Sequence, residues 1–148
     1  MVTNIFLLDY ETRLRSWVDL RNKLSNFTLD IQCQEVDKFW QNVPISNHYL
    51  HSDFIKDWPT PWELLSDNIY CYYARALGMF YSMRLLGNTT LEIVEAKDDN
   101  SNEVVLVLVD NAKYVMNYWP GSIVNNHIND FSIIRTLDIS PLYSKIGV

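Results

Sequence analysis

The apolar positions of the chain change rhythm near residue 88, from a spacing of three and four to an alternation of two. Before that point Leu14, Trp17, Val18 and Leu24 fall on one stripe, with Arg13, Arg15, Asp19 and Arg21 on the opposite face, and predict an amphipathic helix over residues 12–24. Leu29, Cys33, Val36, Trp40 and Val43 predict a second helix with Cys33 in the core and Gln32, Glu35 and Lys38 away from the stripe. Pro44 closes it, because the residue before a proline is pushed out of helical angles. Thr60-Pro61-Trp62-Glu63 supplies a hydroxyl cap, a proline that loses no needed N–H and a carboxylate three residues on, so a third helix starts there. Leu64, Leu65, Ile69, Tyr73, Ala76, Leu77 and Phe80 carry it towards Leu86, where Gly87-Asn88 stops it. The cap-type run Ser66-Asp67-Asn68 leaves two readings open: a restart that puts Cys71 near a helix N-terminus, or one continuous helix with Cys71 three turns deep.

Beyond residue 88, Thr89–Val94 alternates as a strand, and Val104–Val109 is an unbroken apolar run of the kind expected of a strand covered on both faces. A polar turn at Lys97–Asn102 separates them, and Asp110–Lys113 leads into a third strand over Tyr114–Tyr118. Trp119-Pro120-Gly121 breaks that strand, one more is expected around Phe131–Leu137, and Pro141 begins a short tail. The pattern predicts a single α+β domain over residues 1–148. About three helices occupy residues 10–87, and an antiparallel meander of three to four strands occupies residues 88–140.

Composition supports one packed core, with 48% hydrophobic residues against four Gly and five Pro in 148 residues. The net charge of -6 argues against nucleic acid as a partner: the densest basic run, Arg13, Arg15, Arg21 and Lys23, is interleaved with Glu11 and Asp19. No apolar run approaches the roughly 20 residues of a membrane span, so no membrane partner is expected. With Cys33 and Cys71 as the only cysteines and a short apolar N-terminal run, the expected product is soluble and cytoplasmic at synthesis, in a host cytoplasm if the gene is viral. His48, His51 and Asp53 form a partial ligand set without a fourth member and read as surface residues; no metal or other cofactor is expected. Aromatic residues make up 14% of the chain, more polar-tipped rings than one core readily hides. Trp58, Trp62, Tyr70, Tyr72, Tyr114, Tyr118 and Trp119 are therefore candidate anchors for a protein partner or a second copy, three of them rigidified by an adjacent proline.

One stretch carries a family resemblance. Cys71-Tyr72-Tyr73-Ala74-Arg75-Ala76-Leu77-Gly78-Met79, followed by an antiparallel sheet, resembles the nucleophile helix of transglutaminase-like, papain-fold proteins. The resemblance implies a Cys-His-Asp triad with the His on one following strand and the acid on the next. Cys71 matches the nucleophile, but the strand Val104–Val109 has no His and Asn117 stands near the acid's place. His127 lies beyond Trp119-Pro120-Gly121, while His48 and His51 precede the cysteine. As a whole, the aromatic-rich chain also resembles small structural proteins of tailed bacteriophages. The expectation is a non-catalytic interaction or assembly protein, such as a virion component of tail, baseplate or neck. The alternative is a cysteine-dependent acyl transferase or amidase of transglutaminase-like type using Cys71.

Overall fold

A computed structural model describes residues 4–46, 49–119, 122–125 and 128–147. Helices α1 (Tyr10–Leu24) and α2 (Leu29–Trp40) are followed by α3 (Pro61–Asp67) and α4 (Tyr72–Leu85). Then come β1 (Leu91–Lys97), β2 (Glu103–Val109), β3 (Tyr114–Trp119), β4 (Ser122–Asn125) and β5 (Ser132–Thr136). All pairings in the sheet are antiparallel and its order is β4-β3-β2-β1-β5, so the meander is extended at one edge by β4 and at the other by the returning β5. The architecture is the predicted α+β arrangement, with one more helix and one more strand than expected. The added strand, β4, pairs antiparallel with β3, with Trp119 opposite Ser122 and Tyr114 opposite Asn125.

The extra helix comes from a true interruption. The Thr60–Glu63 capping box starts α3, with the Glu63 N–H donating to Thr60 Oγ1 at 3.2 Å and the Thr60 N–H donating to Glu63 Oε1 at 2.9 Å. Asn68 ends α3 in the left-handed region at φ 53, and its Nδ2 donates to the Phe6 carbonyl at 2.9 Å. α4 then restarts with Cys71 as its N-cap residue.

The helices cover one face of the sheet and share a core with it that includes Trp17, Cys33, Trp40, Leu77, Phe80, Ile93, Val107 and Met116. Val94, Ala96, Leu106, Leu108 and Val115 form a second cluster on the opposite face, which Tyr118, Ile128 and Phe131 help to cover. The apolar run of β2 is thus buried on both faces, as its composition predicted. Gly78 allows α4 to meet α2, because a Cβ there would lie 2.5 Å from the Trp40 ring. Ser82, one turn on, accepts from the indole N–H of both Trp17 (2.8 Å) and Trp40 (2.9 Å) and donates to the Gly78 carbonyl at 2.7 Å. One hydroxyl therefore satisfies two buried indoles and ties α1 and α2 to α4.

Three positions depart from the sequence reading. Arg13, assigned to the polar face of α1, is buried: its Nε donates to the Leu65 carbonyl at 2.9 Å, and its guanidinium also donates to the carbonyls of Ser66 and Leu8. It satisfies carbonyls in the last turn of α3, which a helix leaves without internal partners. Gln32 is likewise buried, where its Nε2 donates to the Leu24 carbonyl at 2.9 Å and closes the end of α1. The segment after Pro141 is a 3-10 helix over Ser140–Ile146 that sends Leu142 and Ile146 into the core.

Candidate functional site

Cys71 is placed by both of its flanks. The residue before it, Tyr70, is fully buried, and its carbonyl accepts from the Ser46 N–H at 2.8 Å and from Ser46 Oγ at 3.2 Å. A parallel bridge between Ile45 and Tyr70 adds to this hold. Cys71 is extended at φ -121, and its carbonyl accepts from the Arg75 N–H at 3.0 Å as the first turn of α4 closes. Its side chain makes no capping hydrogen bond, so the thiol is not consumed by the helix. It is 7% exposed and lines a groove of about 930 Å³ between the N-terminus of α4 and one end of the sheet.

The groove crosses four strands. β3 contributes Asn117 and Tyr118, β2 contributes Glu103 and Val105, β1 contributes Glu95 and β5 contributes Ile134, with Tyr72, Tyr73 and Arg75 from α4 opposite. Asn117 organises the inner end. It sits in β3 with φ 73, a left-handed conformation that Asn tolerates better than most residues. Its Oδ1 accepts from Arg75 Nε at 2.5 Å, and its Nδ2 donates to the carbonyls of Val105 (2.7 Å) and Tyr72 (3.3 Å). Its own N–H donates to Asp37 Oδ1 of α2 at 2.8 Å. One amide thus fixes the first turn of α4 against β2 and β3. Arg75, 9% exposed, lies over the Tyr72 ring with 5.1 Å to the centroid, and burial lowers its pKa.

The outer end is held by Glu95. Its Oε2 accepts from the Tyr73 hydroxyl and its Oε1 from Arg135 Nε at 2.8 Å, while Arg135 continues to Asp53 Oδ1 at 3.2 Å and Ser52 Oγ at 2.7 Å. Burial alone would raise the Glu95 pKa, but the hydrogen bonds from Tyr73 and Arg135 outweigh it and hold the carboxyl below its ordinary range. Burial, reinforced by Glu95, pushes the Tyr73 phenol up to about 12. Asp98, at the turn after β1, accepts from the N–H groups of Asn102 and Asn100 and from the Tyr118 hydroxyl, and its pKa is lowered by those bonds.

The structure separates the aromatic candidates. Tyr72 is 56% and Trp62 42% exposed, and Tyr118 is half-buried in the groove wall. Trp58, Tyr70 and Tyr114 belong to the core instead, because Trp58 donates its indole N–H to the His51 carbonyl and Tyr70 packs edge-on against Phe6. The Trp119 side chain, His48 and His127 lie outside the described residues. His51 is exposed, accepts from the Asp53 N–H at 3.1 Å through Nδ1 and packs against Phe54. Among the described residues no group of three or more His, Cys, Asp or Glu could hold a metal ion, and no helix is long and apolar enough to cross a membrane. Of the groove-lining residues, sequence reasoning singled out Cys71, Tyr72, Asn117 and Tyr118 and passed over Glu95, Asp98 and Glu103. The signal for Glu103 was its place at the start of the apolar run, directly after a polar turn.

The fold is similar to that of solved structures of Legionella pneumophila LapG. The calcium-bound form superposes with a TM-score of 0.73 at 13% identity, covering 94% of this chain and 90% of that one. A second LapG structure gives 0.70 at 14% identity, covering 87% and 74%. The chain therefore shares its overall fold with LapG. No protein-family model matches the sequence, and no curated protein matches it. The likeness to tailed-phage structural proteins finds no support in these comparisons.

Proposed function

We propose that this chain is a cysteine-centred domain that binds an extended polypeptide in the groove and presents Cys71 to one of its carbonyl groups. The observation that carries the reading is Cys71 itself. It caps α4 with a side chain that makes no capping hydrogen bond and that lines a groove, in a fold shared with LapG, a transglutaminase-like cysteine protease. The chemistry suited to that placement is acyl transfer or amide hydrolysis. The sulfur adds to the carbonyl carbon, the amine leaves with a proton, and the thioester passes its acyl group to water or to an amine.

A second reading, docking without turnover, is favoured by a specific feature of the lining. Carboxylates and an amide, at Glu95, Glu103 and Asn117, stand on the strands facing Cys71, and such groups stabilise a thiolate less well than an imidazolium does. One experiment separates the two. A peptidyl vinyl sulfone is incubated with the protein and with Cys71→Ala, and adducts are located by peptide mass. The catalytic reading expects an adduct at Cys71 that forms faster than with free cysteine at the same pH, together with slow cleavage of an unfolded protein substrate. Binding of the same peptide scaffold without adduct or cleavage, unchanged in Cys71→Ala, would leave docking as the function.

A further inference from the structure

Charge in the groove is unevenly matched. Its lining holds three carboxylates, Glu95, Asp98 and Glu103, against one guanidinium, Arg75. Arg75 is buried, with Nε on Asn117 Oδ1 and its guanidinium over the Tyr72 ring, and Glu95 has its counter-charge in Arg135. Asp98 is met by neutral donors: the N–H groups of Asn100 and Asn102, Asn102 Nδ2 and the Tyr118 hydroxyl. Those bonds, the one from the Asn102 N–H first, hold its carboxyl below the ordinary range and so ionised. Glu103 is exposed and makes no ion pair among the described residues, including with Lys97, which stands opposite it on β1. An aromatic ring stands over the same place. Asn117 Nδ2 donates to the carbonyls of both Tyr72 and Val105, which brings the start of α4 against β2. Glu103 lies two residues before Val105 and therefore on the same face of the strand. Tyr72, 56% exposed, lines the groove there. An exposed ring beside two carboxylates that lack a cation suits a positively charged side chain: the ring takes its aliphatic stem and the carboxylates its head.

Resting on the groove reading above, we propose that the groove selects a basic polypeptide, one Lys or Arg side chain of which lies against Tyr72 with its charge between Glu103 and Asp98. Glu103 determines the specificity, because Glu95 is neutralised by Arg135 and Asp98 is engaged by its own turn. The net charge of -6 draws such a segment in and disfavours a second copy of the chain as the occupant. Cys71 lines the same groove, so the side chain that anchors the segment also sets which of its carbonyls the thiol meets.

The test uses the full chain and three peptides of Ser, Thr and Gly, blocked at both ends and carrying an uncharged dye, that differ only in a central Lys, Gln or Glu. Binding is followed by polarisation. The Lys peptide is expected to bind most tightly and the Glu peptide least, each step being about two- to fivefold, the scale of a solvent-exposed ion pair. Glu103→Gln should narrow the preference, and Glu103→Lys should reverse the order of the Lys and Glu peptides. Tyr72→Ala should weaken the Lys peptide about two- to fivefold by removing the ring. Raising the salt from about 0.1 M to about 1 M, which shortens the screening length from about 10 Å to about 3 Å, should erase the preference. Equal affinity for the three peptides, or a Lys preference indifferent to Glu103→Lys or to Tyr72→Ala, overturns the proposal. Ile134→Trp, at an exposed position of the groove lining, fills space without changing charge and separates this failure from failure of the groove reading. Binding that is lost in Ile134→Trp but equal for the three peptides keeps the groove and sinks the selection of a basic segment. No binding of any peptide, or binding that neither Ile134→Trp nor Glu103→Lys alters, sinks both.

Discussion

Asn117→Ala is the sharpest test of how the site is assembled. The substitution removes the acceptor of Arg75 Nε and both donors to the Val105 and Tyr72 carbonyls, and it leaves alanine in a backbone conformation of φ 73. Arg75 is 9% and Asn117 4% exposed, so water does not readily replace the lost partners. A hydrogen bond to a charged donor contributes about 1.5–3 kcal/mol, and a buried carbonyl left unpaired costs about 1 kcal/mol or more. The left-handed conformation adds about 1 kcal/mol for a residue with a Cβ and no polar side chain. These effects share partners and will not add in full, so a loss of about 3–5 kcal/mol is expected. That is a large part of the roughly 5–15 kcal/mol that holds an ordinary domain together. Equilibrium urea unfolding followed by tryptophan fluorescence reads the change as a lower midpoint at an unchanged slope. Asn117→Gly provides the internal control: it loses the same side chain but accepts the backbone angle, so it should be about 1 kcal/mol less damaging than alanine. A loss below about 1 kcal/mol for Asn117→Ala would refute the view that this amide clamps α4 to the sheet, and equal losses for the two variants would refute the backbone share of the cost.

Three further outcomes can be checked with the same protein. Ser82→Ala should cost about 2–4 kcal/mol in urea unfolding, because the indoles of Trp17 and Trp40 lose their shared acceptor inside the core. Gly78→Ala should destabilise by about 1–3 kcal/mol although alanine is the better helix former, since its Cβ would enter the Trp40 ring, and thermal melts would show it. For Glu95, whose folded pKa is lowered, the folded state binds its proton less readily than the unfolded chain. The stability it contributes is complete above the ordinary glutamate range near 4.5 and is lost as pH falls through the folded value. The stability difference between the parent protein and Glu95→Gln should therefore shrink steadily on acidification from pH 6 to pH 3, and a difference that grows would contradict the assignment.

The thiols give a chemical readout of the same geometry. Burial pushes Cys33 up to about 12 and leaves it 0% exposed, so a disulfide reagent at pH 8 should titrate it only after unfolding. Reaction of a single thiol in the folded protein, mapped to Cys71, is the expected result; reaction of Cys33 at a comparable rate would show that the core is open.

Much of the fold was legible because its signals are local. Apolar spacing marked α1, α2 and the first three strands, and the Thr60–Glu63 box marked the start of α3 to the residue, since capping depends on a few adjacent groups. The run Ser66–Asn68 was readable as a possible break, and that break decides whether Cys71 caps a helix or lies within one. The burial of Arg13 and Gln32 was hidden, because their partners are carbonyls at helix ends that come near only after α1, α2 and α3 have packed. Trp58, Tyr70 and Tyr114 looked like interface rings for the same reason: a sequence gives the number of aromatics but not which of them the core encloses.

The sequence by itself determined the α+β order of elements, the start of α3, the doubly buried β2 and the place of Cys71 just after a possible break between two helical stretches. These follow from periods of two and three to four residues and from caps, which act over a turn or less. Only the tertiary structure decided what surrounds that thiol. Glu95, Glu103, Asn117 and Ile134 come from four different strands, and their convergence on Cys71 depends on sheet order, on the bulge in β5 and on the left-handed turn of the chain at Asn117. Such features are set by long-range pairing and packing, which no single stretch of sequence encodes.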